Sequence, residues 1–221
     1  MLYLSLIFLL LTSGLNADLT ETSPDTVTMA RVKYGGGGDW YNDPSIIPNI
    51  MEEVNKRTGI PTKPLDIVVD LLDPDLYLYP ILFMTGHGNI SFSPAEVERL
   101  RTYVERGGFL YVDDDYGMDE FFRREIAKVF PDNPLVKISN DHPIFKTPYE
   151  FPEGPPKIHE HDPGPAECFG IFLEGRMVVF YSFNTNFSDG WASPDVHNDP
   201  PEVREKAIKM GVNLFYYILT N

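Results

Sequence analysis

The sequence predicts an α/β fold, a three-layer sandwich built on a mostly parallel sheet with an added antiparallel hairpin. Short apolar runs bounded by glycine or aspartate alternate with stretches of helical period, which is how consecutive βαβ units read. One such unit is complete: an apolar strand at Ile81–Thr85, a Gly86–Asn89 loop, a helix opened by Ser93, Pro94 and Glu96 and stopped at Gly107, and a second strand at Phe109–Val112. Near the C-terminus the apolar runs Cys168–Leu173 and Met177–Tyr181 are joined through Glu174-Gly175, a connection suited to a hairpin rather than a crossover.

Taken in order, the chain opens on Leu2–Leu11, an apolar run too short to span a membrane and the right length for a signal-peptide core. Cleavage after Ala17 would release the rest. The expectation is a signal peptide over 1–17, a disordered polar leader over 18–27 and a single domain over 28–221, exported to the periplasm or beyond with no membrane span after cleavage. No Lys or Arg precedes the apolar run, which leaves an uncleaved anchor as the alternative.

Met29–Tyr34 reads as the first strand and runs into the loop YGGGGDWYND at 34–43. The four glycines lack the pattern of a nucleotide site, and Asp39 would repel a phosphate placed there. They read either as a plain turn or as a loop that lets backbones approach closely, holding Asp39, Trp40 and Tyr41 at the sheet's rim. Asp43-Pro44 suits a helix start, with Ile47, Ile50, Met51 and Val54 on one face. Pro48 requires that start to slip toward Ser45. Leu65–Val69 is the second strand.

After Phe109–Val112 come Asp113, Asp114 and Asp115, which read as the point where that strand leaves the core. Asp119 and Glu120 open the next helix, whose buried stripe is Phe122, Ile126 and Val129. Residues 131–165 are proline-rich and aperiodic, and such a long irregular segment is functional or mobile. A second polar loop spans 182–200, and Asp199, Pro200 and Glu202 start the last helix, with Val203, Ala207, Met210, Leu214 and Ile218 inward.

Charge and cysteine narrow the function. The 221 residues carry a net charge of −15 with no basic cluster, so nucleic acid and anionic membrane surfaces are poor candidates as partners. Cys168 is the sole cysteine, which rules out an internal disulfide or a thiolate metal cluster.

All five histidines fall in predicted loops, and His159-x-His161 can point two imidazoles the same way. In open α/β sheets ligands collect beyond the strands' C-terminal ends. Asp113–Asp115 are therefore candidates for chemistry there, with Asp114, Asp115 and His87 as catalytic candidates. Strand alternation turns Asp113 and Asp115 one way and Asp114 the other. A metal set of His87, Asp114, His159 and His161 would suit a divalent zinc, manganese or iron ion more than calcium, whereas the same aspartates could simply cap a helix. Asp39, Trp40, Tyr116, Asn184, Asn186, Asp189, Trp191 and His197 form a ligand-binding candidate set whose flat faces and polar edges fit a sugar-like or peptide-like small molecule.

The motifs YGGGGDWYND, TGHG at 85–88, GGFLYVDDDYG at 107–117, KIHEHD at 157–162, FYSFNTN at 180–186, DGW at 189–191 and VHNDP at 196–200 together resemble the bacterial domain of unknown function 4159 family from Val32 onward. The resemblance implies a flavodoxin-like, class I glutamine amidotransferase-like sheet in an exported or membrane-attached protein, with no established activity. In amidotransferases the strand matching Phe109–Val112 ends in an elbow cysteine; here aspartates stand in that place, so thiol-dependent glutamine hydrolysis is not expected. Two function classes remain open: an exported hydrolase in which a metal or an aspartate activates water, and a non-catalytic ligand-binding or assembly module of the cell envelope, with an envelope protein as partner.

Overall fold

The computed structural model describes residues 26–159 and 161–221. The signal peptide expected over 1–17 and residues 18–25 of the leader lie outside the described residues. Val27, at the leader's end, forms a bridge with Thr62.

The strands are β1 (Met29–Lys33), β2 (Ile67–Asp70), β3 (Ile81–His87), β4 (Phe109–Tyr116), β5 (Val136–Lys137), β6 (Glu167–Leu173) and β7 (Arg176–Phe183). They form one seven-stranded sheet in the order β2-β1-β3-β4-β7-β6-β5. The first five in that order are parallel, and β6 and β5 are added by antiparallel pairing. The result is the predicted α/β sandwich with its hairpin, and β2-β1-β3-β4-β7 follows the flavodoxin-like order.

Helices α1 (Ile46–Thr58) and α5 (Pro201–Thr220) cover one face, and α2 (Pro94–Glu105) and α3 (Asp119–Val129) the other; α4 is the single turn Pro194–His197. The two cores follow from strand alternation. Ile81, Phe83, Phe109 and Tyr111 pack with Ile50, Val54, Met210 and Phe215, while Leu82, Met84, Leu110 and Val112 pack with Leu100, Val104, Phe122 and Ile126. Truncating a fully buried member such as Phe83 to Ala would cost about 3–5 kcal/mol.

Local signals explain most boundaries. Ser93 and Glu96 form the reciprocal capping box of α2. The first helix begins at Ile46, which leaves Pro48 inside its first turn, where a missing N–H costs nothing. Asp43 is not its cap but sits in a left-handed conformation. Likewise Pro200, not Asp199, stands at the cap position of α5. The irregular segment 131–165 is fastened by Asn213 on α5, fully buried, whose Nδ2 donates to Ile144 O at 2.9 Å and Tyr149 O at 2.7 Å while its Oδ1 accepts from Tyr149 N at 2.8 Å.

One boundary differs in a way that matters. The aspartates do not leave the core after Val112: β4 continues to Tyr116, and Asp113, Asp114 and Asp115 are 0%, 4% and 4% exposed. Asp113 pairs with Ser182 on β7, and Asp114 and Tyr116 pair with Gly86 and His87 on β3, with a register shift that passes over Asp115. From β1 the chain crosses to β2 on one side, and from β3 it crosses to β4 on the other, so the sheet's connections diverge between β1 and β3. The crevice at that point is where open α/β sheets hold ligands.

Candidate functional site

The glycine loop after β1 lies backbone against backbone on the segment after β3. Gly35 bridges Ser91, and Gly38 N donates to Asn89 O at 3.0 Å. A side chain at Gly38 would come within 2.7 Å of His87 O, and one at Gly86 within 2.5 Å of Tyr34 Oη and 2.9 Å of Asp39 Oδ1. Glycine at these places therefore lets Asp39 reach His87. Asp39 Oδ1 accepts from the His87 backbone N–H, and its Oδ2 lies 2.9 Å from Nδ1 of the ring. The other ring nitrogen, Nε2, is 3.3 Å from Asp115 Oδ2. Burial opposes the charged imidazole, but the carboxylates of Asp115 and Asp39 outweigh it and raise the His87 pKa above its ordinary value.

The three aspartates have separate tasks. Asp113 accepts from Ser182 Oγ and, at 2.6 Å, from Ser188 N, and burial pushes its pKa up to about 7. Asp114 accepts from Met118 N at 3.0 Å and Tyr181 Oη at 3.3 Å, which ties β4 to the entry of α3; burial raises it to about 6. Asp115 faces the polar crevice, accepting from Asn42 Nδ2 at 2.6 Å and Asn186 Nδ2 at 2.8 Å. Burial and the nearby Asp189 charge push it up to about 8.

Asp189, 3% exposed at the start of a helical turn after β7, joins the remaining groups. Its Oδ2 is 2.8 Å from His159 Nδ1 and accepts from Asn186 Nδ2 at 3.1 Å, and its Oδ1 is 3.8 Å from His197 Nε2. Burial disfavours the carboxylate, yet His159, His197 and Asn186 together hold its pKa below the usual range. His159 is held on its second nitrogen by Asp199 Oδ1 at 2.7 Å, and the contacts with Asp189 and Asp199 outweigh burial to raise it to about 9. His197 Nε2 lies 2.8 Å from Asp43 Oδ2.

Among the described residues two donor sets result, His159/Asp189/His197 and Asp115/His161/Asp189, each with its ligand atoms within 4.8 Å of one another. They share Asp189. Acceptors outnumber donors here: Asp189 Oδ1, Asp199 Oδ2, Asn186 Oδ1 and Asn184 Oδ1 are buried without a hydrogen-bond partner. The Asn186 amide nitrogen has Asp115 O at 2.6 Å, Asp115 Oδ1 at 2.8 Å, Asp189 Oδ2 at 3.1 Å and His161 Nε2 at 3.1 Å around it, more acceptors than an NH₂ group can satisfy. Buried polar atoms normally find partners, so this crevice is short of positive charge.

Of the residues expected from sequence, His87, Asp39, Asp115, His159, His161, Asn186, Asp189 and His197 converge on the crevice. Asp114 does not: it is occupied by Met118 and Tyr181, and belongs to neither donor set. Nor is His87 in those sets; its ring lies between Asp39 and Asp115. The flat face expected of Trp191 is in the core, where the indole packs on Phe83 and Tyr111 and donates to Ala207 O at 2.8 Å. Trp40 is half-buried against the α2/α3 core. Tyr116 is exposed, with its ring centroid 4.8 Å from that of His161. Asn184 holds the 164–165 backbone through Nδ2. Asn42, Asp43 and Asp199 were missed, although the motifs YND and HNDP contain them.

A family model for the domain of unknown function (DUF4159) matches residues 28–219. The chain belongs to that family. A search of curated proteins returned no match.

Proposed function

We propose that this DUF4159 member is a metal-dependent hydrolase whose site takes two divalent cations of the zinc, manganese or iron class, sharing the Asp189 carboxylate. The observation that carries the reading is the position of Asp189, which serves both donor sets and has Oδ1 buried without a hydrogen-bond partner. Mixed imidazole and carboxylate donors suit those metals. Asp199, on the far nitrogen of His159, stands where a second carboxylate orients a ligating imidazole.

Such a pair would supply Lewis acidity and would acidify a bound water toward neutral pH. Around it, His87 is the proton carrier: Asp39 holds Nδ1, while Nε2 faces the site beside Asp115. Asn42 and Asn186 orient Asp115. The bond class proposed is an ester or amide, whose carbonyl oxygen a divalent cation would polarise. The apolar run at Leu2–Leu11 supports a setting outside the cytoplasm, where a sugar-like or peptide-like substrate or an envelope protein would be met. No helix among the described residues is long and apolar enough to cross a membrane.

A second reading, a non-catalytic ligand-binding module, draws on His159. Clamped at 2.8 and 2.7 Å by Asp189 and Asp199, a protonated imidazolium satisfies two of the site's oxygens without any metal. Protein stripped with a chelator and reloaded with zinc, manganese or iron, then assayed on chromogenic esters and amides, separates the two. Turnover that returns with metal and is absent in His87→Gln supports the hydrolase. Bound metal without turnover on the panel favours the binding module, and a chain that takes up no metal removes the hydrolase reading.

A further inference from the structure

The first four residues of β1 are buried, and one of them carries a charge. Arg31 is 1% exposed, the one Lys or Arg among the described residues that is fully buried. A guanidinium so placed is costly unless its N–H groups find acceptors. Here Nε lies 3.0 and 3.3 Å from the two oxygens of Asp66, ahead of β2. Nη1 donates to Trp40 O at 3.3 Å and Asn42 O at 3.0 Å, and Nη2 to Asp43 O at 3.2 Å. Asp66 alone balances the charge. The other three acceptors are backbone carbonyls of one loop, the loop that brings Asn42 to Asp115 and Asp43 to His197.

Asp43 is what this clamp fixes most tightly. Its φ of +43° is left-handed, a conformation unfavourable to a residue with a Cβ and one that gathers at functional sites. Ile46 N also donates to Asp43 O, at 3.1 Å, so the carbonyl is held from two sides. The carboxylate then faces His197: Oδ2 is 2.8 Å from Nε2. The same nitrogen is 3.8 Å from Asp189 Oδ1, which is buried without a hydrogen-bond partner. A proton on Nε2 serves Asp43 and leaves Asp189 Oδ1 unserved, whereas one cation among the three serves all of them. Ligands about 2.1 Å from a tetrahedral cation stand about 3.4 Å apart, between those two separations.

We propose that Asp43 is the fourth ligand of the cation held by His159, Asp189 and His197, and that Arg31, whose own bonds reach only the backbone of Asp43, is the residue that positions it. Lysine could not replace it, because a compact ammonium cannot span Asp66 and three carbonyls at once. The inference rests on the two-cation reading and gives its halves different work. Four protein ligands close the first site, as in structural metal centres, while the three of Asp115, His161 and Asp189 leave a position open, as in catalytic ones.

The test is titration of the metal-free, full-length chain with zinc, read by competition with a chromophoric chelator, in the native protein, Asp43→Asn, Arg31→Lys and the double variant. The native chain should take two equivalents. Asp43→Asn should weaken one of them by about 100-fold or more and leave the other unchanged; Arg31→Lys should weaken the same one by about 10–100-fold, the effect expected of a group that orients a ligand. The double variant should bind no more weakly than Asp43→Asn alone, since Arg31 acts through Asp43. Additive losses, or an Arg31→Lys protein weakened equally at both sites, make Arg31 a general support of the fold and overturn its positioning role. Asp43→Asn keeps the loop's shape and decides the ligand by itself if Arg31→Lys does not fold: two unchanged equivalents in that variant overturn the proposal and leave the two-cation reading standing. A native chain that takes up no zinc removes both.

Discussion

Asp189 Oδ2 lies 2.8 Å from His159 Nδ1, and the same carboxylate belongs to the donor set of Asp115 and His161. Loop 182–200 thus carries one side chain that links the two halves of the crevice. The remaining parts of the site position or charge-balance groups around it.

The close approach of two backbones at Gly86 is the first point of test. Its φ of +135° and the 2.5 Å approach of a built Cβ to Tyr34 Oη make Gly86→Ala strained and crowded. The variant should lose about 2 kcal/mol, a fall of about 4–8 °C in Tm. His87 should titrate nearer its ordinary value as Asp39 is displaced, which NMR of the imidazole would read. An unchanged melt and an unchanged His87 titration would contradict this account of the glycine loop.

Stability of the metal-free protein should fall with rising pH above about pH 6. His159, raised from 6.5 to about 9 by Asp189 and Asp199, contributes stability that is full below its unfolded value and lost as pH rises through 9. Asp113, raised by burial from 3.8 to about 7, adds a cost of ionisation that accumulates as pH rises from 3.8 to about 7 and is complete above it. On the acid side, Glu53 and Glu205, held low by Arg57, contribute stability that disappears as pH falls through their depressed range. Metal should reverse the alkaline trend, because ligands bind it deprotonated. Calorimetry from pH 6 to 9 with and without chelator checks both signs; a metal-free melt that rises over that range would be the opposite result.

The fold was legible where its signals are local. Ser93 with Glu96, the Glu174-Gly175 turn and the continuous apolar run Phe109–Val112 each specify structure within a few residues. The site was legible in part. Buried aspartates read as a strand end because carboxylates are seldom fully buried; apart from the local Met118 N–H on Asp114, what keeps them inside is tertiary, namely Ser182, Ser188, Tyr181 and Asn42. Asp43 meets His197 across 154 positions and Asp199 meets His159 across 40, distances at which no spacing rule operates. Trp191 stood among polar loop residues, and its place in the core came from Phe83 and Tyr111 on other strands.

Cys168 should prove inert. It is 1% exposed on β6, and burial followed by the nearby Asp113 charge pushes its thiol well above the ordinary range. Cys168→Ala should cost about 1 kcal/mol of stability through lost packing and leave any turnover within a few-fold of the original. Thiol reagents should label the native protein only as fast as it unfolds. Rapid native labelling, or glutamine turnover abolished by the substitution, would refute this.

Metal stoichiometry in the native protein and in Asp189→Asn tests the central claim most directly. After loading with zinc and removal of free metal, elemental analysis should find two equivalents in the native chain; in a separate melt with free zinc present, each site held at 100 times its dissociation constant should add about 2.7 kcal/mol. Asp189→Asn, which keeps the side chain's shape but removes the shared charge, should hold close to none and show the same melt with and without chelator. A native chain that binds no metal, or an Asp189→Asn protein that retains both equivalents, would contradict the account.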